Sequence, residues 1–180
     1  MAKAVLISIR PEWVEKILNG EKTLEVRKNR PNMGTPFKCY IYCTNSGVAM
    51  GMWGKHGKVV GEFVCDKITW LTHIGFSGLP GIRLAAMKNG HTIDDSFDFS
   101  GSCLTTPQIE KYLDGKDGYA WHISNLKIYD SPKQLSAFKG LCKIEVGCWE
   151  CPYYNYTKME CDGRTIKRPP QSWCYVEELR

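Results

Sequence analysis

The stretch ISIRPEWVEKILNGEKTLEVR, residues 7–27, carries the signals that decide the fold. It continues an apolar run that starts at residue 4 and is typical of a buried strand. Pro11 stands where a helix would begin, since its fixed φ suits the first helical position, and Gly20 suits the helix end. In residues 23–27 polar and apolar side chains alternate, as in a strand with one polar face. The stretch therefore predicts a strand, a helix over residues 12–19 and a second strand.

The rest of the chain predicts more strands than helices. Strands are predicted at residues 37–43, 59–70, 119–124, 126–129 and 171–177, and short helices at residues 82–88, 107–113 and 132–138. Because the helices do not alternate regularly with the strands, the pattern favours the α+β class, with a mixed sheet or a small barrel, over a doubly wound parallel sheet. The length of 180 residues predicts a single domain with its own core.

The composition is that of an ordinary soluble protein with a mild positive charge. Hydrophobic residues make up 43%, charged residues 24%, and the formal net charge is +5. Basic residues cluster at residues 22–30 and 164–168, which favours an anionic partner. No apolar run approaches the ~20 residues of a membrane-spanning helix, and the first residues lack a signal-peptide pattern. We therefore expect a cytoplasmic protein with no membrane partner.

Nine cysteines are many for this length, and four of them fall within twenty residues. Cys142, Cys148, Cys151 and Cys161 are separated by five, two and nine residues, and the middle pair forms a C-x-x-C motif. Four thiolates favour a structural, tetrahedral zinc site, while free thiols, an iron–sulfur cluster and a disulfide remain open. Residues 141–167 are therefore predicted to be a Cys-rich, metal-binding insertion. The other cysteines are predicted to be small core residues: Cys39, Cys43, Cys65, Cys103 and Cys174.

Several motifs together resemble one family. Residues 7–11, Trp13 and residues 18–27 resemble the opening of ASCH domains, which belong to the PUA-like superfamily. VGEF at residues 60–63, YAWHI at residues 119–123 and Ser131-Pro132 resemble later strands of that family, and residues 168–173 resemble the ending of phage and bacterial members. The resemblance spans the chain except residues 142–167. It implies a small mixed β-barrel flanked by short helices, with a cleft that binds RNA or nucleotides.

The family also implies chemistry. Some relatives hydrolyse acetylated cytidine, and one kind is described as a ribonuclease. The acetylcytidine hydrolases have a nucleophilic threonine at the position of Glu25, two residues before the strand arginine, so the resemblance does not carry that reaction to this chain. Lys22 and Arg27 match the family pattern. Lys22 and Glu25 are therefore candidate catalytic residues, as an acid–base pair in which the carboxylate activates water.

The same opening stretch supplies candidate anion-binding residues. Arg10 lies at a strand-to-helix junction, where a guanidinium and exposed helix N–H groups can hold a phosphate together. Lys22 starts the second strand, and Glu25 and Arg27 share its polar face. We expect these positive side chains to converge on one hollow. The alternative interpretation is a surface arginine beside a solvated strand with incidental ion pairs.

Residues late in the chain complete the candidate ligand site. Trp121 and Trp173 can stack on bases, and Gln171 can bind a base edge, although both tryptophans can equally fill the core. The candidate ligand-binding residues are Ser8, Arg10, Lys22, Glu25, Arg27, Trp121, His122, Gln171, Ser172 and Trp173.

Three functions remain open from the sequence. The first is an RNA- or nucleotide-binding module, with no organic cofactor. The second is a hydrolase that acts on a modified nucleoside or on RNA. The third is an adaptor that captures a protein partner through the Cys-rich insertion.

Overall fold

A computed structural model describes residues 2–46, 54–75, 82–88, 92–94, 96–141, 154–157, 159–161 and 164–179. The chain forms two compact units. The first unit consists of Met1–Glu15, Lys38–Phe63 and Lys127–Arg180, and the second of Lys16–Phe37 and Val64–Leu126. The prediction of a single domain concerns the chain as a whole and stays a prediction.

The described residues form two α-helices and twelve strands. The helices are α1 (Pro11–Leu18) and α2 (Thr106–Leu113). The strands are β1 (Lys3–Ile9), β2 (Leu24–Arg27), β3 (Phe37–Cys43), β4 (Lys58–Cys65), β5 (Ile68–Gly75), β6 (Ile82–Lys88), β7 (Thr92–Asp94), β8 (Gly118–His122), β9 (Ser124–Gln134), β10 (Tyr154–Asn155), β11 (Glu160–Cys161) and β12 (Trp173–Glu177).

A five-stranded mixed sheet in the order β12-β1-β3-β4-β9 carries the core of the first unit. β1 runs parallel to β3 and antiparallel to β12, with Lys3 opposite Glu177. Alternate residues of β1, Ala4 and Leu6, pack with Tyr40 and Phe138. The apolar run at residues 4–9 is thus a buried strand, as predicted.

The second unit has its own five-stranded sheet, in the order β2-β8-β5-β6-β7, whose described pairings are all antiparallel. α2 covers one face of this sheet, because Ile109 and Leu113 pack on Val26, Leu71 and Ala120. The helix begins after Thr105, whose N–H donates to the Gln108 side chain at 2.8 Å, as in a capping box. The predicted helix at residues 107–113 is confirmed.

The strand–helix–strand prediction for residues 7–27 is also confirmed. α1 begins at Pro11, and the carbonyl of Arg10 accepts hydrogen bonds from the N–H groups of Trp13 and Val14 at 3.0 and 2.9 Å. Gly20 ends the helix in the left-handed region, at φ 77°, which is easily reached only without a Cβ. The α+β class and the mixed sheet follow from this arrangement and agree with the prediction.

Three other predictions were wrong. Residues 82–88 form strand β6, because pairing with β5 places Leu84 and Ala86 in the core under α2 and overrides the helix preference of the alanines. The long strand at residues 59–70 is broken at residues 66–67 into β4 and β5. Residues 132–138 hold the end of β9 and a 3₁₀ turn, Leu135–Ala137, instead of a helix. Neither described helix is long and apolar enough to cross a membrane.

Candidate functional site

The charged residues of β2, together with Lys22 just before it, form a buried cluster in the second unit. Glu25 forms ion pairs with both cations: its Oε2 lies 3.4 Å from Nζ of Lys22, and its Oε1 lies 2.9 Å from Nε of Arg27. The three residues are only 3%, 7% and 8% exposed for Lys22, Glu25 and Arg27. The interpretation that these side chains are solvated is therefore wrong. They are buried, and the carboxylate and the two cations interact with each other in place of water.

A turn at Ser100–Ser102 holds this cluster in place. Lys22 Nζ donates to the carbonyl oxygen of Ser102 at 2.6 Å, and the N–H of Thr23 donates to the carbonyl of Gly101 at 2.8 Å. A Cβ added to Gly101 would lie 2.4 Å from Oγ1 of Thr23, so only glycine lets the turn approach β2 this closely. The turn thus fixes where the ammonium group of Lys22 lies.

Trp121 is a core residue and offers no accessible ring face. It is opposite Glu25 in the β2–β8 pairing and is 0% exposed. Its ring packs edge-to-face on Phe37, with the ring centroids 5.9 Å apart. The prediction that Trp121 stacks on a base is therefore wrong, because neighbouring side chains already occupy its faces.

The face of the second sheet opposite α2 carries a cavity of about 650 Å³. The register places Arg27, Tyr119, Trp70 and Met87 in one row across β2, β8, β5 and β6. Trp70, Tyr119 and Met87 line the cavity and are half-buried. Two aromatic rings on adjacent strands form a platform of the kind on which a planar ligand stacks.

The rim of this cavity is mainly basic. The cations Arg30, Lys67 and Lys88 line it, and all three are exposed. The guanidinium of Arg30 lies 5.8 Å from the ring centre of Tyr119, within cation–π range. Asp94 is an acidic residue of the lining, and a hydrogen bond from the Ser96 hydroxyl lowers the pKa of its carboxyl. The described part of the rim thus presents three positive charges against one negative charge.

A second cavity, of about 420 Å³, lies at the end of the same sheet and contains His122. Nδ1 of His122 lies 2.6 Å from Oδ1 of Asp66, and both side chains are partly exposed, at 43% and 46%. The hydrogen bond from the ring lowers the pKa of the Asp66 carboxyl, which therefore stays ionised and accepts from Nδ1. The imidazole is held by one nitrogen, which fixes its orientation.

The remaining predicted ligand residues belong to the first unit. Arg10 is exposed, at 70% of its side chain, and lies 4.0 Å from Glu12. Ser8 is buried; its hydroxyl donates to the carbonyl of Pro170 at 2.7 Å, and its N–H donates to the carbonyl of Ser172 at 2.9 Å. These bonds bring Ser8 beside the segment that holds Gln171, Ser172 and Trp173.

Trp173 is half-buried on β12, opposite Ile7, and its ring lies 5.3 Å from that of Tyr175. Gln171 is exposed. The convergence of Arg10 with Lys22 and Arg27 stays a prediction, because Arg10 belongs to the first unit and the other two belong to the second.

The described cysteines are mostly core residues, as predicted. Cys39, Cys43 and Cys65 are fully buried, and burial raises the pKa of Cys43 to about 11 and that of Cys65 to about 12. The prediction that Cys103 is a core residue is wrong, because Cys103 is half-exposed and its Sγ donates to the carbonyl of Glu21 at 3.4 Å. Cys174 is half-buried and packs against the core of the first unit.

The predicted zinc ligands fall largely outside the described residues. Cys142, Cys148 and Cys151 are not among them, and Cys161 lies buried on β11. Within the described ranges, no three His, Cys, Asp or Glu side chains lie close enough to hold a metal ion. The zinc site therefore stays a prediction.

The cavity of about 650 Å³ is called the aromatic cavity below, after Trp70 and Tyr119. Most of its lining residues were not singled out from the sequence. These are Arg30, Lys67, Trp70, Lys88 and Tyr119. The available signal was the alternation that puts Ile68 and Trp70 on one face of a strand, together with the basic cluster that includes Arg30. The strand register that joins them is not visible in the sequence.

Comparison with known proteins identifies the fold. The chain is similar to the crystal structure of ASCH from Zymomonas mobilis, with 18% identity and a TM-score of 0.56, over 97% of this chain and 88% of that one. Structures of two single-residue mutants of that protein are similar as well. The tyrosine-to-phenylalanine mutant gives 17% identity, a TM-score of 0.54 and coverage of 98% and 92%; the serine-to-alanine mutant gives 17%, 0.53 and coverage of 97% and 89%. No protein-family model and no curated protein sequence matches the chain.

Proposed function

We propose that this chain, whose fold is that of ASCH domains, binds RNA or a nucleotide in the aromatic cavity of its second unit. One observation carries the proposal: the rings of Trp70 and Tyr119 lie on neighbouring strands and line one cavity together with the cations Arg30, Lys67 and Lys88. Rings stack on bases and cations hold phosphates, so the cavity provides for both parts of a nucleotide.

The expected energetics suit a binder with little sequence preference. Stacking on an aromatic side chain contributes about 1–3 kcal/mol per base, whatever the base. Contacts between cations and phosphates add affinity that weakens with salt and carries no direct sequence information. A volume of about 650 Å³ lies within the usual range of ligand sites.

The buried cluster supports this cavity from within the sheet. Arg27 is opposite Tyr119 in the β2–β8 pairing and so lies in the row of the aromatic platform, and Glu25 lies in the next row, opposite Trp121. We retain the sequence-based proposal that Lys22, Glu25 and Arg27 contribute to a basic ligand site. Residues of the first unit, namely Ser8, Arg10, Gln171, Ser172 and Trp173, are retained as a further proposed contact surface.

Binding of a short fluorescent RNA, followed by anisotropy, tests the proposal. Lys67→Ala should lower the affinity and reduce the salt dependence between about 50 and about 200 mM by about one counterion. Lys116→Ala, an exposed lysine of the same unit beyond α2, is the matched control and should leave both unchanged. Equal affinities and equal salt slopes for the two variants would refute the proposed site.

A hydrolase is the second candidate function, and the contact of 3.4 Å between Lys22 and Glu25 favours it. A carboxylate and an ammonium this close can exchange a proton during hydrolysis of a modified nucleoside or RNA. Deacetylation of acetylcytidine and cleavage of short RNAs should be assayed in the parent, Lys22→Ala and Glu25→Gln, with the exposed Glu21→Gln as control. Activity that is equal in all four proteins, or absent from the parent, would remove this candidate.

The Cys-rich segment carries a separate proposal. Cys142, Cys148, Cys151 and Cys161 would hold a structural zinc ion, in a protein that resides in the reducing cytoplasm. Metal analysis of the purified protein should then give about one zinc per chain, and Cys148→Ser should lose it, while Cys39→Ser should not. If the segment is also an adaptor, deleting residues 142–160 should abolish capture of a protein partner and leave RNA binding intact.

A further inference from the structure

The two cavities of the second unit meet at the beginning of β5. Lys67 and Thr69 line both of them. Lys67 directly precedes β5, and its side chain is exposed. Leu24 and Phe97 of the second cavity pack with α2, so the two cavities open on opposite faces of the sheet, and a ligand longer than one nucleotide would pass from one to the other around Lys67.

The charges of the two cavities differ. Among the described residues, the aromatic cavity is lined by three cations and one carboxylate, whereas the second cavity is lined by Lys67 and His122 together with the carboxylates of Asp66 and Asp98. Hydrogen bonds from the Ser100 hydroxyl and the Ser100 N–H lower the pKa of Asp98, so both carboxylates are ionised at neutral pH. A phosphate is repelled from the interior of the second cavity and is attracted to Lys67 at its border.

The second cavity has the chemistry of a nucleoside site. Ionised carboxylates only accept hydrogen bonds, and the hydroxyl groups of ribose are donors that match them. Leu24 and Phe97 form an apolar wall, and the 100–102 turn adds the hydroxyl group of Ser100. The volume of about 420 Å³ suffices for one nucleoside.

We propose that this second cavity binds the neighbouring nucleoside of a single-stranded RNA, with the linking phosphate at Lys67 and the ribose hydroxyls on Asp66 and Asp98. His122 is a positioning residue here, because its ring holds Asp66 at 2.6 Å. The inference rests on the proposed function and deepens it: the ligand is a ribo-oligonucleotide of at least two nucleotides.

Calorimetric titration with three ligands tests this inference. The ligands are adenosine 5′-monophosphate, the 5′-phosphorylated adenosine dinucleotide, and the deoxyribose form of that dinucleotide. The ribodinucleotide should bind the parent about tenfold more tightly than the monophosphate, and the deoxyribose form should lose most of that gain. Asp66→Asn and His122→Ala should lose the gain of the ribodinucleotide over the monophosphate. The matched controls Asp130→Asn and His56→Ala should keep it.

The outcomes separate this inference from the proposed function. Equal affinities of the parent for the monophosphate and the ribodinucleotide would overturn the second subsite and leave the aromatic cavity standing. A gain that persists in Asp66→Asn, or that is equal for ribose and deoxyribose, would also overturn it. If the parent binds none of the three ligands, the proposed function fails and the subsite fails with it.

Discussion

Replacing Glu25 by glutamine tests whether the buried cluster depends on its central charge. The substitution keeps the shape of the side chain and leaves the ammonium of Lys22 and the guanidinium of Arg27 without the carboxylate that lies 3.4 and 2.9 Å away. Removing one partner from a buried ion pair costs about 3–5 kcal/mol, because the remaining charge stays out of water. We expect a loss of that size in the free energy of unfolding.

The assay is urea unfolding followed by circular dichroism, with Glu21→Gln as the matched control. Glu21 pairs with Lys16 at 3.0 Å on the surface, where water and salt can replace the interaction. The unfolding midpoint of the Glu21→Gln variant should therefore differ little from that of the parent. The triple variant Lys22→Met, Glu25→Leu, Arg27→Met should recover part of the loss, since apolar residues of similar volume can replace a buried ionic cluster. If Glu25→Gln is as stable as Glu21→Gln, the cluster is not held by its charges and the reasoning is wrong.

Three further predictions concern single residues elsewhere in the chain. Gly101→Ala should destabilise the protein by about 1–3 kcal/mol in urea, because its Cβ would lie 2.4 Å from Thr23 Oγ1, whereas Gly34→Ala, with nothing within 4 Å, should be close to neutral. The bond from His122 lowers the pKa of Asp66, so its stabilisation is present above about pH 4 and lost as pH falls through the lower folded value. The unfolding midpoints of the parent and Asp66→Asn should therefore differ at about pH 6 and converge near about pH 2, and a constant difference would contradict this. Among the described cysteines, Cys103 should react with a thiol reagent before Cys43 and Cys65, whose pKa values burial raises to about 11 and about 12, as read by mass spectrometry.

Local signals explain what the sequence predicted correctly. In residues 7–27, Pro11, Gly20 and the alternation of β2 each act within a few residues, so they define strand, helix and strand without reference to the rest of the chain. The cluster of Lys22, Glu25 and Arg27 was found for the same reason, because these residues lie within six positions of the chain, in β2 and just before it.

Non-local pairing explains what the sequence did not predict. Tyr119 and Trp70 come together through the β5–β8 register, and the sequence around each residue does not identify the other as its partner. The alanines of β6 favour a helix by themselves, and only pairing with β5 makes them a strand. The burial of Trp121 follows in the same way from its neighbours across the sheet. Sequence reasoning thus identified the buried charged cluster next to the candidate site and missed both the rings and the cations that line the cavity.

The pairing of Lys3 with Glu177 has a consequence for synthesis on the ribosome. β1 is translated long before β12, yet one of its edges has no sheet partner until β12 has been made. At about 5–20 residues per second, that interval lasts on the order of ten to thirty seconds. During this time β1 exposes an apolar strand with free N–H and C=O groups, the kind of edge that recruits other chains. The first unit therefore completes its sheet only after β12 has left the ribosome.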